Sequence, residues 1–206
     1  MKDSGENWLD KYCDRIIIVI LLFTIGFMYL SISKPYEKSI QHTSDIAMEE
    51  AKYLRVVYIG SLNCSFSNND QTHQMVRKLK NYFRSFAHEH GYWFLSTGIS
   101  VDMYADRGIG FLNRSGPYDE IVAGASWFNL GVYRYVWDDA FPGYAATPQI
   151  LLTITSYKPI SGGRQIADIK REDQLLKRVS GMNEIKELYE LTQVSTDEKI
   201  VAYLGL

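Results

Sequence analysis

Apolar positions along this chain fall into three kinds of run. The first is unbroken: residues 16–32, IIIVILLFTIGFMYLSI, carry no charge and are bracketed by Arg15 and Lys34. That length is the short end of what crosses a hydrocarbon core as a helix. The flank Ser31-Ile32-Ser33-Lys34-Pro35-Tyr36 lacks the small-residue pattern of a signal-peptide cleavage site, so the run reads as an uncleaved anchor. The second kind is short, β-branched and aromatic. YLRVVYIGS (Tyr53 to Ser61), YWFLSTGISVD after Gly91, and AATPQILLTIT around Thr147-Pro148 each read as a strand. GGRQIADI, opened by Gly162-Gly163, pairs with the last of these as a hairpin.

The third kind recurs at steps of three and four. Met75, Val76, Leu79, Tyr82, Phe83 and Phe86 form one apolar stripe, which predicts an amphipathic helix from about Gln71 to Gly91. Its Arg77, Lys78, Lys80 and Arg84 then fill the solvated face. Leu175, Leu176, Val179, Met182, Ile185, Leu188 and Leu191 predict a second helix across EDQLLKRVSGMNEIKELYEL, with Gly181 as an interruption. Between Met103 and Asp138 the pattern weakens: DEIVAGAS reads as a strand and WFNLGVYRYVW as either a helix or an extended strand. The chain therefore divides into a tail (1–15), a transmembrane helix (16–32), a polar stalk (33–52) and one folded domain (53–206).

Composition narrows the function. With 206 residues, 46% of them hydrophobic, the chain holds one sizeable core. A net charge of -2 lacks the clustered positive excess that nucleic acid requires, so no nucleic-acid partner is expected. Lys2, Lys11 and Arg15 before the apolar run balance Lys34, Lys38 and Lys52 after it. The short N-terminal tail favours a cytoplasmic start, a single-pass membrane location and a domain on the extracytoplasmic side. Cys13 and Cys64 flank that run and form no disulfide framework. Cys13 reads as a free thiol or a juxtamembrane acylation site. His42, His73, His88 and His90 match no zinc spacing, and no metal site is expected.

In the domain the order is strand, thiol, helix, strand, variable insert, Thr-Pro strand, Gly-Gly strand, helix. This resembles the thioredoxin superfamily over about residues 53–191, with Cys64 at the position of the reactive cysteine and Pro148 at that of the cis-proline. Cys64-Ser65-Phe66-Ser67 is similar to the Cys-Gly-Phe-Ser of monothiol glutaredoxins, and Thr147-Pro148-Gln149 with Gly162-Gly163 echoes their later elements. The 84-residue interval from Cys64 to Pro148, together with the N-terminal anchor, is more similar to membrane-tethered proteins of the TlpA and ResA type. Those usually carry a second cysteine where this chain has Ser67. The resemblance implies an α/β thioredoxin-like fold, a central mixed sheet with helices on both faces, preceded by one transmembrane helix.

It also implies a site. Cys64 would start the first helix, where backbone N–H groups and the helix dipole favour thiolate. Ser67 either donates to that thiolate or merely caps the helix. Thr147 and Phe66 would contact an extended peptide substrate beside Pro148. Without a second cysteine the exchange needs an external thiol such as glutathione, and no other cofactor is expected. Three readings stand: single-thiol disulfide exchange with protein thiols, a redox-inactive binding or assembly module for a partner protein, and an iron–sulfur carrier that needs a cytoplasmic domain. The aromatic set Trp127, Phe128, Tyr133, Tyr135, Trp137, Phe141 and Tyr144 forms either a binding wall over Cys64 or core and lid packing. Asp138 and Asp139, adjacent in sequence, point apart and make no acid–base pair. Asn63 and Asn113 open Asn-x-Ser glycosylation patterns.

Overall fold

A computed structural model describes residues 51–159 and 169–206, all within one compact unit, Ala47–Leu206. The expected anchor at 16–32, nearly all of the expected stalk, Cys13 and the Gly162-Gly163 pair lie outside the described residues. Among the described residues no helix is long and apolar enough to cross a membrane.

Strand β1 (Ala51–Gly60) leads to helix α1 (Asp70–Glu89), β2 (Trp93–Ser100), α2 (Ala105–Asn113) and β3 (Glu120–Val122). An insert of short helical turns follows: a 3-10 turn at Ser126–Phe128, an α-turn at Leu130–Val132 and a wider π-type turn at Tyr133–Trp137. Then come β4 (Gln149–Pro159), β5 (Ile169–Ser180), α3 (Gly181–Val194) and α4 (Asp197–Leu204). The five strands form one mixed sheet in the order β3-β2-β1-β4-β5. β1, β2 and β3 run parallel, while β4 is antiparallel to both β1 and β5. This α/β arrangement is compatible with a thioredoxin-like fold.

Period-2 alternation sends the two faces of the sheet to different partners. Leu54, Val56 and Tyr58 of β1, Ile150, Leu152 and Ile154 of β4, and Val179 of β5 face α1, α3 and α4, and α2 adds Phe111 and Leu112 to the same core. Val57, Ile59, Ile99 and Leu151 face the insert, which covers them with Val132, Tyr135 and Val136, joined by Phe141. Among the described residues α1 to α4 thus all feed one core, and the second face is covered by the insert's short turns rather than by a long helix.

Two expectations change. The helix predicted across residues 172–191 is strand to Ser180 and helix only from Gly181. A bulge opposite Leu152 and Thr153 brings Leu175 and Leu176 in succession, and with Val179 they imitate a three-and-four spacing. The break falls at Gly181, whose φ of 80° suits a residue without a Cβ. Helix α2 went unrecognised because ADRGIGFLN holds two glycines and buries few large side chains, chiefly Phe111 and Leu112. The basic face of α1 is also not uniformly solvated. Lys80 is buried, its Nζ donates to Pro117 O (2.7 Å) and lies 3.4 Å from the Tyr118 ring centroid. Burial, then the charge of Arg84, brings its pKa down to about 8.

Candidate thiol site

The chain leaves β1 at Gly60 and enters a turn before α1. Asn68 N donates to Cys64 O (2.8 Å), closing a single helical turn over residues 64–68. Asn69 is extended and caps α1, its Oδ1 accepting from Gln71 N (2.8 Å). Cys64 therefore sits on its own turn, short of the helix terminus that was expected to carry it, and the dipole of α1 begins only at Asp70.

Three attachments fix that turn. Asp102, directly after β2, accepts from Ser61 Oγ (2.8 Å) and Leu62 N (2.9 Å), and it also accepts from Ser100 Oγ (2.6 Å). Thr72 Oγ1 of α1 donates to Phe66 O (2.7 Å). The third attachment is the sulfur: Cys64 Sγ lies 3.3 Å from Thr147 O. The Thr147–Pro148 peptide bond is cis, and Pro148 O accepts from Gly181 N (2.8 Å) at the start of α3. Gln149 Nε2 donates to Tyr144 O (3.0 Å) and Ala146 O (2.6 Å), which shapes the loop before the proline. Arg178 bonds Gln149 Oε1 and donates to Phe141 O (2.9 Å). Asp102 and Arg178 were not singled out from the sequence, and Gln149 was quoted only as part of the Thr-Pro-Gln resemblance. The one available signal was a carboxylate ending an apolar strand in Ser100-Val101-Asp102.

Cys64 is half-buried, and burial pushes its thiol up. The Ser67 hydroxyl, the Thr147 side chain and the backbone N–H groups of Ser67 and Phe66 outweigh that, so the thiol lies below its ordinary value. The Thr147 carbonyl works the other way, because it can accept only from the protonated sulfur. Ser67 is fully buried, and its Oγ interacts with both Cys64 and the Tyr58 hydroxyl yet completes no regular hydrogen bond. Tyr58 is itself fully buried, donates weakly to Ser67 O (3.5 Å), and is held protonated chiefly by burial. Behind it His73 is buried on α1, edge-on to Phe111 at 5.0 Å, with neither ring nitrogen partnered. Burial, then the charge of Arg114, brings His73 down to about 4.

Of the expected site residues, Cys64, Ser67, Thr147 and Pro148 come together, and Phe66 stands exposed on the same turn. The aromatic set divides. Tyr135 and Phe141 are core, Tyr144 is exposed on the loop before Pro148, and the insert's bonds run to the sheet through Asn129 and Arg134 rather than to the Cys64 turn. Asp138 and Asp139 are both exposed. Among the described residues no group of His, Cys, Asp and Glu could hold a metal ion. Comparison with known proteins finds no family model that matches the chain, and no similar curated protein or solved structure.

Proposed function

We propose that the chain is a membrane-anchored, thioredoxin-like protein that exchanges disulfides through a single cysteine, Cys64. The observation that carries this reading is the 3.3 Å approach of Cys64 Sγ to the Thr147 backbone, with the thiol lowered by Ser67 and Thr147. The Cys64 thiolate attacks one sulfur of a protein disulfide, the S–S bond breaks, and the departing thiolate takes a proton from solvent. An external thiol of the glutathione kind, as its thiolate, then attacks the substrate sulfur of the mixed disulfide and releases Cys64. Phe66 and the Thr147 backbone hold the extended substrate beside the sulfur. Pro148 closes the other side.

The test is trapping in cells. Mixed disulfides to Cys64 should be recovered, Cys64→Ala should abolish them, and Ser67→Cys should shorten their lifetime by supplying an internal thiol at high effective concentration. A second reading, a redox-inactive binding module, draws on the start of α1 at Asp70, which deprives Cys64 of the helix terminus. Under that reading Cys64→Ala leaves partner capture intact and no mixed disulfide forms.

A further inference from the structure

Apolar side chains occupy both sides of the insert. Inward, Val132, Tyr135 and Val136 complete the second core. Outward, Phe128 is 89% exposed, Leu130 83%, Tyr133 68% and Trp137 51%, and the Trp127 and Trp137 rings lie 6.4 Å apart. Single exposed apolar residues are ordinary, but this many within ten positions form a patch of the sort that marks an interaction surface. Residues 126–137 include one charge, Arg134, and it is drawn inward onto Asp173. The Trp137 indole N–H is likewise satisfied by Trp127 O (3.1 Å). Within residues 126–137 the outward side therefore carries no charge except Arg134, which is partly exposed and paired with Asp173.

We propose that this outward side of the insert lies in the interfacial layer of the bilayer that anchors the chain. The inference rests on the reading of residues 16–32 as a membrane span. Residues 33–50 reach at most about 65 Å when extended, and a domain of this size has a radius of gyration of roughly 15 Å, so any face can reach the lipid. A tether of that length holds the patch near the membrane at an effective concentration of about millimolar, enough to populate a contact too weak to recruit a free protein. Trp, Tyr, Phe and Leu are the side chains that settle at headgroup depth. The exposed Asp138 and Asp139 beside them disfavour an anionic surface, so the contact is apolar and insensitive to salt.

The experiment uses the full chain in phosphatidylcholine nanodiscs whose lipids are brominated high on the acyl chain. Trp8 and Trp93 are replaced by Phe, leaving Trp127 and Trp137; a companion variant has all four tryptophans replaced by Phe and carries Tyr29→Trp, inside the apolar run 16–32, which reports the anchor. Bromine should quench Trp127 and Trp137 by about twofold or more, equally at low and high salt. Phe128→Ser with Leu130→Ser, both at exposed positions, should remove that quenching and, placed in the companion chain, leave its signal unchanged. Quenching in the companion chain without quenching of Trp127 and Trp137 overturns the surface and leaves the anchor standing. Quenching of none removes the anchor, and the proposal falls with it. Emission shielded from an aqueous quencher yet untouched by bromine points to a protein occupant and overturns the proposal, as does quenching that survives the double substitution.

Discussion

Two buried polar clusters lie on opposite faces of the sheet, and they are built in opposite ways. On the insert face, the fully buried Arg55 spends its donors on Thr97 Oγ1 (2.8 Å), Thr155 Oγ1 (3.2 Å), the Tyr157 hydroxyl (3.2 Å) and Glu120. Thr155 passes the network on to Asp173 (2.6 Å), which also receives Arg134 and Arg171. On that face Thr153 Oγ1 and Arg178 Nε are left without a partner, both outside this network. On the helix face, Ser67 Oγ of the Cys64 turn and both nitrogens of His73, against Phe111, lack regular partners. A network whose charges are paired ties all five strands together, while Ser67 Oγ, on the Cys64 turn and without a regular partner, is free to respond to the thiol's charge.

The contrast predicts mutational effects of different sign. Arg55→Leu should destabilise most, by about 3–5 kcal/mol in urea unfolding, because it leaves the partners of a buried charge unpaired. Asp173→Asn should cost about 1–3 kcal/mol. Burial raises the Asp173 carboxyl, but Thr155, Arg134 and Arg171 together hold it below the ordinary value. A depressed carboxylate stabilises the fold above its unfolded pKa of about 3.9, and this is lost as pH falls through the folded value. The wild-type chain should therefore lose stability in that acid range, and Asp173→Asn should flatten the loss.

His73 sharpens the comparison because it should behave differently from Arg55. His73→Leu at pH 7 should be close to neutral or slightly stabilising, within about 1 kcal/mol, since it removes two orphaned nitrogens. In the wild-type chain the unfolded imidazole, near 6.5, binds protons that the folded one refuses until about pH 4. Stability should thus fall as pH drops from 6.5 towards 4, and His73→Leu should remove that slope. A large loss on His73→Leu at pH 7 would dissolve the distinction between the two clusters. The smallest stability effect belongs to Ser67→Ala, expected within about 0.5 kcal/mol because the hydroxyl completes no regular bond.

The same division governs what the sequence made legible. β1, α1 and β4 follow from their periods, because each presents an uninterrupted apolar face to the helix-side core, whereas β2, with Phe94, Ser96, Gly98 and Ser100 on that side, is legible from its aromatic and β-branched composition between two turns. β5 imitates a helix through its bulge, and α2 buries too few large side chains to stand out. Arg55 lay hidden inside LRVVYIG, where one charge does not break an apolar run. Cys64, Thr147 and Pro148 could be brought together through the family resemblance. Asp102, which holds their turn, could not, because its partners are the backbone and hydroxyls of a loop.

The central claim is that Ser67 and Thr147 prepare Cys64 as a thiolate. Its most direct test is the pH profile of Cys64 alkylation in the Cys13→Ser chain, where Cys64 is the one thiol left. The midpoint should lie below the roughly 8.5 of a free thiol, and Ser67→Ala should move it upward. A midpoint at or above that of a free thiol, or one that Ser67→Ala leaves in place, would contradict the account.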